Sequence, residues 1–217
     1  MDQEMLNETI KKHNMWLRDE AGRELADLHH CNLTGADLRN TNLRHCDLTR
    51  ATLRDANLYN ADLRNCNLTG ANLYNSDLRN CDLTRADLRD ANLYNADLRN
   101  CDLTDADLYG ADLRNCNIGD ANLRNCDIGD ANLRYADLRS AKNFFLLPVQ
   151  DPRGYLHPHA TLTGQGWQIR VEYHRFSIDQ ARAHWGESYQ GKRWIGDMYL
   201  HACDWLELMI ANNKEVV

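Results

Sequence analysis

Between Ala26 and Ser140 the chain repeats one five-residue pattern of apolar and polar positions without a break, over 115 residues or 23 pentads. The first place is small (Ala, Cys, Ser or Thr), the second is Asp or Asn except at Thr52, and the third is Leu except at Ile118 and Ile128. Neither regular element accommodates this spacing. On a helix a step of five turns the chain roughly 140° past a full turn, so Leu28, Leu33 and Leu38 would share no face. On a flat strand, whose period is two, successive leucines would alternate between faces. A fixed short period marks a repeat architecture, and a solenoid fits it. The first three places form a short extended stretch pointing in, out and in, and the last two turn a corner. Leucine then fills the interior, and coils stack at about 4.8 Å with their backbone groups paired.

The flanks carry other patterns. Met5, Leu6, Thr9, Ile10, His13, Trp16 and Leu17 fall at helical spacing behind Asp2, a candidate N-cap. An open coil end exposes backbone edge and apolar interior. Residues 1–25 are therefore expected to form a capping helix, with His13 and Trp16 packing and Gly22-Arg23 leading into the first pentad. After Ser140 all three prolines, all three phenylalanines and four of the five tryptophans appear. FFLLPV reads as a strand near the end of the last coil, and Asp151-Pro152-Arg153-Gly154 as a turn. YLHPHATL and WQIRVEY read as a hairpin around Thr163-Gly164-Gln165-Gly166, with Pro158 arguing for an edge. Ser177 opens a capping box with Gln180, before a helix with Ile178, Ala181 and Trp185 on one face and Gly186 after it. Ile195, Met198, Tyr199, Ala202, Trp205, Leu206, Met209 and Ile210 make a final apolar helical stripe. Residues 141–217 are expected to be a small α+β domain.

The unbroken tandem of A(D/N)LXX over 26–140 resembles the pentapeptide-repeat family. The resemblance implies a right-handed, quadrilateral β-helix with four pentads per coil, hence nearly six coils: an all-β solenoid with an N-terminal capping helix and a C-terminal α+β domain. LNETIKKHNMWLRDEAGRELADL looks like the leader of phage and bacterial members, and RFSIDQARAHWG is similar to a C-terminal module of phage-type proteins. Some members mimic duplex DNA and bind type II topoisomerases, so the resemblance implies DNA gyrase or topoisomerase IV as one possible protein partner.

With four pentads per coil, outward residues sort by face. The face that begins at Ala26 collects Asp27, Asp47, Asp87, Asp90, Asp107, Asp127 and Asp130 against Arg50 and Arg89. The face beginning at Cys31 aligns Tyr74 with Tyr94. The one beginning at Ala36 sets Arg39, Arg79, Arg99 and Arg139 beside Asp37, Asp77, Asp97 and Asp137, and stacks Asn40, Asn60, Asn80 and Asn100 at a corner. The Thr41 face is charge-balanced. The Ala26 face is thus the candidate binding surface. Residues 46–80 match 81–115 at 29 of 35 positions. Seven pentads are not a whole number of coils, so the second copy should be turned by one face.

The remaining chemistry is sparse. A net charge of −7 with no basic stripe argues against direct nucleic-acid binding. No apolar run is long enough to span a membrane and no signal peptide opens the chain, so a cytoplasmic protein is expected. Seven of the eight cysteines (Cys31, Cys46, Cys66, Cys81, Cys101, Cys116, Cys126) occupy the small inward place and read as reduced core thiols. No phosphate loop, nucleophile elbow or dinucleotide fingerprint occurs. His157 and His159 with Cys203 could form a zinc site, but their spacing matches no metal motif, so neither metal, cofactor nor catalytic residue is assigned. The expected function is a non-enzymatic binding or scaffold protein, phage or prophage encoded by resemblance. A DNA mimic and a metal or enzymatic site in 141–217 are the rivals.

Overall fold

The computed structural model describes residues 1–20, 25–146, 159–163, 166–171, 174–188 and 193–212. The chain divides into two compact units, Met1–Ala141 and Lys142–Val217.

In the first unit every second-place residue pairs in parallel with the one 20 residues on, from Asp27↔Asp47 to Asn117↔Asp137, so four pentads make one coil. The pairing is one residue wide on each face and the next two residues turn, so the solenoid is a ladder of isolated bridges rather than of long strands. First and third places are buried except at the two ends, where Cys31, Thr41, Ala136 and Leu138 are half-buried; Leu83 is fully inaccessible. The fifth place has positive φ throughout, between 53° and 70° across Arg50, Asn60, Asp90 and Gly110. A β-turn with its third residue in that region favours Asn, Asp and Gly, which explains the composition of the fifth place.

The second place has a structural role beyond facing outward. In the pentad 86–90, Ala86 N–H closes the preceding turn on Leu83 O (2.9 Å), while Asp87 N–H reaches Cys66 O (2.9 Å), Leu88 N–H reaches Asp107 O (2.7 Å) and Asp90 N–H reaches Tyr109 O (3.0 Å). The fifth donor, Arg89 N–H, goes to Asp87 Oδ1 at 3.1 Å. The second-place side chain therefore satisfies the one amide that the coils leave over, an Asx turn. Asparagine does the same, as Asn57 does for Tyr59 (3.1 Å) and Asn92 for Tyr94 (3.1 Å). The turn uses the side-chain oxygen that Asp and Asn share, so either residue serves; Thr52 is the exception in the ladder.

The first helix, α1, runs Gln3–Leu17, with Asp2 accepting from Met5 N–H at 2.8 Å. Its buried stripe is Leu6, Ile10 and His13; Met5 and Trp16, expected to pack, are exposed. The stripe is narrower because polar side chains of the helix make much of the contact with the first coil. The Gln3 amide donates to Asp37 O (3.0 Å) and accepts from Asp37 N–H (2.9 Å), the pairing that a preceding coil would make. The Met1 ammonium donates to Asn32 O at 3.2 Å. His13 Nδ1 accepts from Ala26 N–H (3.3 Å), which places the proton on Nε2, facing Cys46 Sγ (3.5 Å) and the Arg44 carbonyl. Gly22 and Arg23 lie outside the described residues.

Burial holds His13 below its ordinary pKa of 6.5, against the Arg44 carbonyl and with nearby His45 adding to the lowering. The unfolded chain thus binds the proton more readily, and the native state loses stability as pH falls through 6.5. His13→Asn keeps an acceptor for Ala26 N–H without titrating. Urea unfolding at pH 7.5 and 5.5 should show a larger acid loss in the parent than in the variant.

The inward thiols are sealed except for Cys31, which is half-buried because no coil precedes it. Burial pushes the Cys46 and Cys116 thiols up to about 12, and Cys66, Cys101 and Cys126 upward as well. Cys66 and Cys101 donate to Leu43 O and Leu78 O at 2.8 Å. Since the thiolate is the reactive form, a thiol reagent without denaturant should label Cys31 quickly and the other six slowly, read by mass spectrometry.

The second unit is a four-stranded antiparallel sheet in the order β1-β2-β3-β4, with β1 Phe144–Leu146, β2 His159–Thr163, β3 Gly166–Val171 and β4 His174–Ser177. Two helices follow, α2 Ile178–Ser188 and α3 Arg193–Asn212. β1 pairs with β2, and the β2–β3 hairpin closes at Thr163↔Gly166. The sequence pattern does not predict β4, because His174–Ser177 is too short and polar to show a strand pattern. Ser177 N–H reaches Gln180 Oε1 (2.9 Å) and Gln180 N–H reaches Ser177 Oγ (3.2 Å), a reciprocal capping box. Gly186 does not end α2, which continues to Ser188; a helical glycine costs only about 1 kcal/mol. Ala160, Ile169, Ala181, Trp185, Ala202, Cys203 and Leu206 form the core. The turn 151–154, the segment around Pro158, His157, Gly164, Gln165 and the side chains of Ile195, Met198 and Tyr199 lie outside the described residues. Among the described residues, no helix is long and apolar enough to cross a membrane.

Candidate protein-binding face

The 20-residue register brings the acids of the Ala26 face into line and divides them. Asp27 and Asp47 are ladder neighbours, Asn67 follows, and Asp87, Asp107 and Asp127 then succeed one another in consecutive coils. Asp90 and Asp130 occupy corners of the same face. The Asp90 carboxylate lies over Gly110, where a Cβ would fall 2.5 Å from Oδ1, and Gly110 also has φ +70°. Any side chain at Gly110 would displace that acid. Tyr109 OH donates to Asp130.

The upper pair is locally compensated. Asp27 bonds the His29 ring, which raises the imidazole pKa and lowers that of the carboxyl. Arg50 stands at the corner beside Asp47 in sequence. In the lower three coils Asp87, Asp90, Asp107, Asp127 and Asp130 share the face with Arg89 as its single arginine. Arg89 binds Asp87 in a fork (Nε 2.9 Å, Nη2 2.5 Å), which holds the Asp87 carboxyl below the usual range, and its Nε is 3.7 Å from Asp107. Taking the repeat as a whole, acids and arginines balance from 26 to 85, and the excess acid lies in 86–140. The candidate surface is therefore compact, confined to three coils.

The other faces are spent on internal pairing. The Asp-Leu-Arg pentads repeat the same fork, as in Asp37–Arg39, Asp77–Arg79 and Asp97–Arg99. On the Thr41 face Arg64 binds Asp62 (2.5 Å) and reaches Asp82 (3.2 Å). On the Cys31 face the Tyr74 and Tyr94 rings stack at 5.6 Å, with Arg54 over one and Arg114 over the other. Asn60 donates to Asn40 at 2.9 Å, and an unforeseen corner ladder runs Asn95 to Asn75 to Asp55 at 2.7 Å per step. The signal for the forks and Asx turns was present as the two-residue spacing of Asp/Asn to the fourth place. The ladder at Asp55 needed the coil register.

That register also turns the duplicated segment by a quarter. Tyr74 sits on the Cys31 face, and its copy Tyr109 on the Ala26 face; Asp55 and its copy Asp90 are related in the same way. The quarter turn thus sets Arg89, Asp90 and Tyr109 on the Ala26 face, where their counterparts Arg54, Asp55 and Tyr74 stand on the Cys31 face.

In the second unit Cys203 is enclosed by apolar side chains, and His159 is buried against the Phe144 ring. His157 lies outside the described residues. Among the described residues, no group of three or more His, Cys, Asp or Glu could hold a metal ion.

Residues 26–65, 66–105 and 106–142 match the family model for pentapeptide repeats. No curated protein matches the chain. Among solved structures, a pentapeptide repeat protein from the thylakoid lumen of Arabidopsis thaliana is 29% identical over 48% of this chain and 72% of its own, with a TM-score of 0.47. The pentapeptide repeat protein Rfr23 from the cyanobacterium Cyanothece 51142 is 28% identical over 63% and 93%, with a TM-score of 0.40. QnrB1, a plasmid-mediated fluoroquinolone resistance protein, is 21% identical over 54% and 69%, with a TM-score of 0.36. Pentapeptide-repeat proteins fold as right-handed quadrilateral β-helices. With the repeat model matched from residue 26 to 142 and four pentads to each coil, the chain belongs to the pentapeptide-repeat family.

Proposed function

We propose that this protein is a non-enzymatic binding rod that docks a basic protein surface through the lower acidic face. In this reading α1 serves as the cap of the first coil, and 142–217 is an appended domain. One observation carries the proposal: Asp87, Asp107 and Asp127 stack at a place where Asn would serve the fold equally well. Like charges directly opposite one another in a ladder are destabilising; Arg89 offsets this between Asp87 and Asp107, and the excess of acid over arginine on the lower face is what the fold does not require. The closed inward thiols suit a reducing compartment, and we place the protein in the cytoplasm. The test is affinity capture from a bacterial lysate by the parent and by a variant with Asp90, Asp107, Asp127 and Asp130 changed to Asn. A partner held by both proteins alike would refute the assignment.

The spacing also favours a second reading, mimicry of duplex DNA toward DNA gyrase or topoisomerase IV. Three coils at about 4.8 Å span roughly 10 Å, over which a duplex presents about six phosphates. The lower face offers five aspartates over that length, close to duplex density but over a short run. Gyrase supercoiling in the presence of micromolar protein at low salt decides between the two: inhibition supports mimicry, and its absence leaves the binding rod.

A further inference from the structure

One pentad of the solenoid lacks the oxygen that its corner is shaped to receive. Every other fourth-place amide of the repeat donates to the side-chain oxygen two residues before it. Arg54 N–H does not. Its second-place residue is Thr52, the one departure from Asp and Asn, and neither the Thr52 hydroxyl nor the Arg54 amide has a hydrogen-bond partner among the described residues. In the seven Asp-Leu-Arg pentads one carboxylate takes three donors of the arginine. Asp77, for example, accepts from the N–H (3.2 Å), Nε (2.8 Å) and Nη2 (2.6 Å) of Arg79. Pentad 51–55 carries the same three donors on Arg54 with no carboxylate to receive them. The Arg54 guanidinium lies over the Tyr74 ring at 4.6 Å and is in no ion pair. Arg44, Arg124 and Arg134 also follow no aspartate, but Asn42, Asn122 and Asn132 hold their amides. Among the fourth-place arginines Arg54 alone has both groups open. Its neighbour Asp55 is turned to the next coil, where it accepts from the Asn75 side chain at 2.7 Å.

We infer that this pentad is a binding site for one carboxylate of a partner protein, an Asp or Glu side chain that takes the place filled by aspartate in the other seven. A threonine side chain is one bond shorter than aspartate, so the position of the two carboxylate oxygens is left to a ligand. The Thr52 hydroxyl then becomes a further donor. Stacking on Tyr74 does not prevent the fork. Arg114 lies over the Tyr94 ring at 5.2 Å and still holds Asp112 through Nε (2.8 Å) and Nη2 (2.6 Å). The ring instead restrains the guanidinium, which reduces the conformational freedom lost on binding. A carboxylate is favoured over a phosphate because seven of the chain's own carboxylates already fit this donor set, two coplanar oxygens against a planar fork.

The site lies on the Cys31 face in the second coil, so its test does not depend on the lower acidic face. The capped peptide GEEEG is the probe, with GQQQG as its neutral counterpart and inorganic phosphate as the competing oxyanion. Titrated into the ¹⁵N-labelled full chain to millimolar concentration at low salt, GEEEG should move the Arg54 amide proton downfield, slow its exchange and shift the Arg54 Nε–H. The Arg79 amide, already on Asp77, should stay in place, and GQQQG should move neither. Thr52→Asn supplies the missing oxygen without adding charge. In that variant the Arg54 amide should lie downfield before any peptide is added, and the response to GEEEG should be lost at the amide and weakened at Nε–H. Arg54 resonances unmoved by GEEEG in the parent would overturn the inference, as would an equal response in Thr52→Asn. A response to phosphate and not to GEEEG would overturn the carboxylate assignment.

Discussion

Replacing Leu83 with aspartate is expected to leave no folded solenoid. Leu83 is fully inaccessible, and its N–H and C=O serve the next coil and the turn. A carboxyl at that depth has no partner, and burying it unpaired costs several kcal/mol on top of the lost leucine packing, enough together to exhaust a marginal stability. Leu83→Ala leaves the ladder intact and removes only packed volume, for a loss of about 2–5 kcal/mol. Circular dichroism and a denaturant titration should therefore show an unfolded or aggregated Leu83→Asp protein and a destabilised, still cooperative Leu83→Ala protein. A Leu83→Asp variant melting like the parent would mean that the third place does not face the interior.

The second large effect concerns the acidic face and separates function from folding. Asp90→Asn, Asp107→Asn, Asp127→Asn and Asp130→Asn together should abolish capture of the basic partner without lowering the melting temperature. The matching change of Asp62, Asp82 and Asp102 to Asn should leave capture intact. Those acids lie on a face where arginines balance them, with Arg64 joining Asp62 to Asp82. Capture by the parent should also weaken with salt, because the Debye length shrinks from about 10 Å at 0.1 M to about 3 Å at 1 M. If the Thr41-face variant loses the partner as fully as the Ala26-face variant, the contact is not where the charge excess lies.

The repeat was legible because its period excludes helix and flat strand, and because a buried third place repeated 23 times leaves little choice of geometry. Tyr74 over Tyr94, and Asp87, Asp107 and Asp127 in one column, followed from four pentads per coil, which the resemblance supplied and the bridges show. The role of the second place did not follow. The pattern of apolar and polar places marks it only as outward, whereas its oxygen completes the backbone hydrogen bonding of the corner wherever it is Asp or Asn. That correction changes the meaning of the site. An aspartate there has a structural explanation, and only the choice of Asp over Asn carries information about a partner. The narrower stripe of α1 was hidden for a related reason: Gln3 and Met1 act through polar groups that no hydrophobic pattern registers. His174–Ser177 depends on pairing with β3, a contact across the sheet that local sequence does not encode.

Stability now bears on function. If stacked aspartates are kept for a partner, removing their charge should relieve repulsion, an expected trade between a binding surface and the fold that carries it. Removing the oxygen as well should do harm, because the amides of Tyr109 and Gly129 would lose the acceptors that now lie at 3.0 and 2.9 Å. Each lost bond costs about 1 kcal/mol. The most direct measurement is a thermal melt of the parent beside Asp107→Asn/Asp127→Asn and Asp107→Ala/Asp127→Ala. The account predicts that the asparagine pair melts at or above the parent and the alanine pair clearly below it. An asparagine pair that melts as low as the alanine pair would show that the fold itself needs those charges, and would remove the ground for assigning them to a partner.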